Sequence, residues 1–62
     1  MSDTQYAGYK EVEIWVRETS PVTKGGAAYL EFTRWVRARG VTECRSMSTF
    51  SCYYSKARRQ TA

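Results

Sequence analysis

Two interruptions constrain this chain more than anything else in it. Thr19-Ser20-Pro21-Val22-Thr23-Lys24-Gly25-Gly26 joins a proline, which pushes Ser20 toward extended backbone, to a glycine pair that discourages either regular structure. Gly40 makes the second break, as the C′ stop of a helix. They separate three segments, 6–17, 27–39 and 42–59, with a loop over 18–26 and polar tails at Met1–Gln5 and 60–62. Three short pieces in 62 residues make one domain, 1–62, that buries only about 60% of its unfolded surface. Such a core leaves roughly 3–5 kcal/mol of net stability, so a homodimer is plausible on stability grounds alone.

The first segment has two readings. Val12, Ile14 and Val16 alternate with Glu11, Glu13 and Trp15, which is the period of a half-buried strand, with Trp15 on the polar side. A helix competes, since Ser2-x-x-Gln5 resembles a capping box and Tyr6, Tyr9, Val12 and Val16 share a helical face. The strand is the favoured reading. Over 27–39 the pattern is helical, with Ala28, Tyr29, Phe32, Trp35 and Val36 in one stripe and Leu30 pointing away from it. Thr42 is placed to cap a last helix with Glu43 in its first turn. The buried stripe of that helix is Met47, Phe50, Tyr54 and Ala57, with Tyr53 at its margin. The expected fold is therefore mainly α with a short N-terminal β-strand; an all-α three-helix domain and a ribbon-helix-helix dimer are the alternatives.

Familiar staples are absent. Two cysteines and no histidine cannot supply a four-ligand zinc site, and no cofactor motif is present. If Cys44 and Cys52 both lie on the last helix, they stand about 12 Å apart along its axis, beyond the ~7 Å reach of a disulfide. They read as free thiols in a reducing, cytosolic setting, Cys44 packed in and Cys52 nearer the surface. No apolar run approaches the length of a membrane span and no signal pattern opens the chain, so a soluble intracellular protein is expected.

Charge is distributed unevenly. Residues 32–62 hold seven basic side chains against Glu43 alone, net +6, while residues 1–31 hold three against five acids, net −2. A basic face of this kind attracts phosphate, and nucleic acid is the leading partner. The outward face of the last helix carries Arg45, Ser48, Thr49, Cys52, Ser55, Lys56 and Arg59, with no acid. Short hydrogen-bonding residues suit base edges in the major groove, and Arg45, Lys56, Arg58 and Arg59 suit phosphates. Arg34 and Arg37 on the preceding helix extend the basic surface. The competing reading is a solvated, serine-rich helix face.

A helix, then Gly40-Val41-Thr42, then Ser48-Thr49-Phe50-Ser51 and Tyr53, resembles the helix-turn-helix of small prokaryotic DNA-binding regulators. The likeness is generic, covers about 27–59, and stretches the usual spacing between Gly40 and Ser48 by several residues. It implies double-stranded DNA as partner and a transcriptional or recombination regulator of phage or plasmid type. Ribbon-helix-helix ranks below it, because a ribbon face bearing Glu11 and Glu13 would repel phosphate. The spacing of Trp15, Trp35 and Tyr54 is near that of Myb-type repeats, but Pro21 and Gly25-Gly26 would then fall inside a helix, so core packing explains both tryptophans better.

Catalysis is poorly supported. There is no histidine base, no imidazole to activate a cysteine and no phosphate-binding glycine loop, so an enzyme is not expected. The second class of function is a small inhibitor or adaptor that binds a larger protein. Exposed Leu30, an outward Trp15 and an acidic edge strand would serve it. RNA is a weaker option, since few aromatics remain for stacking on unpaired bases once the core is filled.

Overall fold

The structure, a computed structural model, describes residues 5–61. Within them lie three helices, α1 (Tyr9–Thr19), α2 (Gly25–Ala38) and α3 (Met47–Thr61). The three-helix alternative fits, and the expected N-terminal strand is corrected to α1. Val12, Trp15 and Val16, at i, i+3 and i+4, are the buried side chains of this segment, and Ile14 is left half-buried. Trp15 decides the matter. An aromatic of this size buries about 150–250 Å², worth roughly 4–6 kcal/mol at ~25 cal/mol per Å², whereas strand propensities span only ~1 kcal/mol. A helix puts Trp15 inside and a strand leaves it in water. With no strand among the described residues to form a ribbon, the ribbon-helix-helix alternative is not supported.

Local chemistry sets the ends of α1. The Gly8 N–H donates to Glu11 Oε1 at 2.8 Å, which is half of a capping box. The Ser2 expected to cap lies outside the described residues. At the other end Ser20 adopts φ 45°, and its N–H donates to Val16 O at 2.9 Å. Pro21 was expected to hold Ser20 extended. The left-handed conformation is adopted instead, and it is the one that closes the helix's last turn.

The glycine pair also behaves differently from expectation. Gly25 and Gly26 form the first turn of α2, with Gly25 at φ 65° swinging the chain into the helix. Ala28, Phe32 and Val36 then face inward, and Tyr29 and Trp35 pack at the margin, as the periodicity implied. Gly40 ends α2 as expected. At φ 82° its N–H donates to Arg37 O (2.9 Å) and the Val41 N–H to Val36 O (3.1 Å), which together make a Schellman motif.

Beyond Gly40 the chain stays extended for several residues, so the last helix starts five residues later than expected. Thr42 pairs with Tyr6 in a parallel bridge, and the Ala7 N–H donates to Thr42 O at 2.8 Å. The cap is Ser46, whose Oγ accepts the Thr49 N–H at 3.2 Å. Residues 39–46 therefore connect α2 to α3, a span wider than the three- or four-residue turn of a helix-turn-helix. Phe50, Tyr54 and Ala57 are buried as expected, but Met47 is exposed. The helix continues through Thr61, where a tail over 60–62 was expected.

The core is built around Trp15. Its ring lies 5.4 Å from Phe32, 5.9 Å from Phe50 and 5.5 Å from Tyr54 (centroid distances), so one residue of α1 joins α2 and α3. The Tyr54 hydroxyl donates to Thr23 O at 2.6 Å and ties the α1–α2 loop to α3.

Candidate nucleic-acid interface

The expected contact residues fall on and around α3. Ser48, Cys52, Ser55 and Arg59, at i, i+4, i+7 and i+11, line its outermost ridge, and all four are exposed. Lys56 flanks the ridge on one side and Arg58 on the other. Thr49 is turned aside and half-buried, its hydroxyl 3.1 Å from Ser46 Oγ, so it serves the helix start. Arg45 precedes the helix, and its guanidinium lies 5.9 Å from the Tyr6 ring centroid.

From Cys44 to the C-terminus the sequence holds four basic residues and no acid; residues 1–43 hold six of each. The chain's formal excess of +4 thus belongs entirely to the segment that contains α3. No counter-charge on the helix itself offsets it.

Two α2 residues stand differently. Arg34 is exposed. Arg37 is engaged, with Nε and an Nη donating to both Glu43 carboxylate oxygens at 2.9 and 2.8 Å. Those hydrogen bonds hold the Glu43 carboxyl below its ordinary range and the Arg37 guanidinium above its own. A phosphate at Arg37 must compete with a bidentate carboxylate. Arg39 is also occupied, lying over Trp35 at 4.5 Å and pairing with Glu18 at 3.6 Å.

The residues behind the face are buried or half-buried and hydrogen-bonded. Cys44 is buried and its carbonyl accepts the Tyr29 hydroxyl at 3.1 Å, which anchors the connector before α3. Burial, then the Glu43 and Cys44 charges, push the Tyr29 hydroxyl above its ordinary value, so it remains a donor. Burial likewise pushes the Cys44 thiol up to about 11. Cys52 is exposed, and both thiols are free, matching the assignment from sequence.

Sequence reasoning missed part of this surface. Ser51 and Gln60 are also exposed on α3, and helical spacing from Ser48 and Lys56 would have found them. The competing helix reading put Tyr6 on one face with Tyr9, Val12 and Val16, yet it precedes α1 and is 51% exposed beside Arg45. Lys56 Nζ lies 5.2 Å from the Tyr9 ring, which meets Tyr53 edge-on at 6.1 Å. Only the tertiary fold brings these pairs together. Among the described residues no cluster of His, Cys, Asp and Glu is placed to hold a metal ion, and no helix is long and apolar enough to cross a membrane.

No protein-family model, curated protein or solved structure matches this chain.

Proposed function

We propose that this protein binds double-stranded DNA as a small regulator, with the outer ridge of α3 in the major groove. One observation carries the reading: a fifteen-residue helix exposes a ridge of short polar side chains, flanked by cations, in a segment without an acid. Ser48, Ser51, Cys52 and Ser55 let the helix backbone approach base edges. Arg45 at the start of the helix and Lys56, Arg58 and Arg59 near its end reach phosphates on either side of the groove. Arg34 adds to the phosphate contacts, and Arg37 adds less because Glu43 competes for it. The eight-residue α2–α3 connector replaces the tight turn of the familiar motif, while Phe50 still packs α3 against Phe32 and Tyr29 of α2.

Replacing Lys56 or Arg59 by alanine weakens binding to all duplex sequences alike and lowers the salt slope by about one each. Replacing Ser48 or Ser55 by a bulky residue reduces binding to a selected site more than to random sequence. Equal losses in both classes would remove α3 from the groove.

A protein partner is the second reading, and its footing has narrowed. Trp15 is buried and no edge strand exists among the described residues, so Leu30 remains, 53% exposed, with Val22 (86%) and Met47 (49%). The same three exposed apolar side chains are the candidates we propose for a homodimer contact. A pull-down that survives nuclease treatment favours a protein partner, and one abolished by it favours DNA.

A further inference from the structure

We propose that Tyr6 and Arg45 form a stacking subsite for an unpaired base, so that the protein prefers duplex ends or junctions that carry single-stranded nucleotides. The inference rests on the DNA-binding reading and adds a substrate class to it. It begins with a ring that is held in place without being buried. The backbone at Tyr6 is held by its parallel bridge to Thr42, in which the Ala7 N–H donates to Thr42 O at 2.8 Å. Ala7 itself is in the core. The Tyr6 side chain is nevertheless 51% exposed.

Solvent-facing tyrosines occurring singly need no explanation. This one sits in a pattern. The Arg45 guanidinium lies 5.9 Å from its ring centroid, and Arg45 directly precedes the Ser46 cap of α3. Three residues on from Tyr6, Tyr9 repeats the arrangement with Lys56 at 5.2 Å and rests edge-on against Tyr53 of α3. One flank of α3 therefore presents aromatic faces, each with its own cation, next to the basic ridge. A nucleotide has the same two parts, a flat base and a charged phosphate. A base stacks on the exposed Tyr6 ring while Arg45 moves from the ring to the neighbouring phosphate.

Tyr6 is the better platform of the two, because Tyr9 and Tyr53 are half-buried and already pack on each other. Pinning the Tyr6 backbone beforehand lowers the ordering cost of binding. The subsite adjoins the helix that the proposed function places in the major groove, so one nucleic acid can fill both only where duplex meets single strand.

The test compares three probes by fluorescence anisotropy: a blunt duplex, the same duplex with a short thymidine extension, and the same duplex with an abasic extension of equal length. The abasic extension keeps the phosphates and removes the rings. The expected result is roughly ten-fold tighter binding to the thymidine extension than to either other probe, the effect of one stacked base. Tyr6→Ala abolishes that preference with blunt-duplex affinity unchanged, and Tyr6→Phe retains it. Equal affinity for all three probes overturns the subsite while leaving duplex binding in place. Equal gains from the abasic and thymidine extensions overturn it as well, assigning the contact to phosphate alone. No binding to any probe overturns both this inference and the function beneath it.

Discussion

Trp15 touches Phe32, Phe50 and Tyr54, so its truncation reaches every helix at once. Large-to-alanine changes of this kind cost about 3–5 kcal/mol, which equals the whole net stability expected of so small a core. Trp15→Ala should therefore abolish the cooperative thermal transition seen by circular dichroism, and Trp15→Phe should keep it at a lower midpoint. A wild-type melting curve for the alanine variant would contradict the packing described. The two thiols make a second expectation at this scale. Iodoacetamide should modify Cys52 alone in the native protein and both cysteines in denaturant, read by mass spectrometry, because Cys44 is buried and only a thiolate reacts. The Cys44 thiol stands at about 11 against an ordinary 9.0, raised first by burial. Its contribution to stability is therefore complete below pH 9 and is lost as pH rises toward 11; Cys44→Ala should flatten that alkaline loss. Burial of Cys44 and exposure of Cys52 were legible from their place in the apolar pattern. The inward turn of Trp15 was not, because alternating β-branched residues mimic a strand and only the three-ring contact overrules them.

At the scale of elements, boundaries were harder to read than faces. The buried stripe of α2 and the outward face of α3 follow from a 3.6-residue period; the structure keeps the first, and of the second all but Thr49, which is half-buried, and Arg45, which precedes the helix. The start of α3 is different. Thr42-Glu43 and Ser46-x-x-Thr49 both look like caps, and the choice between them is made by distant contacts: the Tyr6–Thr42 bridge and the burial of Cys44 hold the connector extended. Ser46→Ala should thus cost about 1 kcal/mol in urea unfolding and Ser46→Asp should restore it, while Thr42→Ala leaves helix content unchanged. If Thr42→Ala reduced helix content and Ser46→Ala did not, α3 would begin where the sequence first suggested. Pro21 and the glycine pair were read correctly as a boundary and incorrectly as a long break, since Gly25 and Gly26 are spent on the first turn of α2.

Across the whole molecule the decisive property is where the charge lies. Residues 1–43 balance six cations with six anions, and Arg37 and Arg39 are tied to Glu43 and Glu18. The formal excess of +4 is left to Arg45, Lys56, Arg58 and Arg59, around one helix. The imbalance was visible in the sequence. The internal neutralisation of Arg37 and Arg39, and the placing of aromatic rings beside Arg45 and Lys56, needed the fold. On the proposed reading, counterion release would supply much of the affinity for DNA, and the number of phosphates contacted would set the salt dependence. The most direct measurement is an anisotropy titration of labelled random-sequence duplex DNA across a range of salt concentrations. Five contacts, from Arg34, Arg45, Lys56, Arg58 and Arg59, should give a slope of log K against log salt of about −4 to −5. Failure to bind at low salt, or binding that does not weaken as salt rises, would contradict the assignment of the α3 face to DNA.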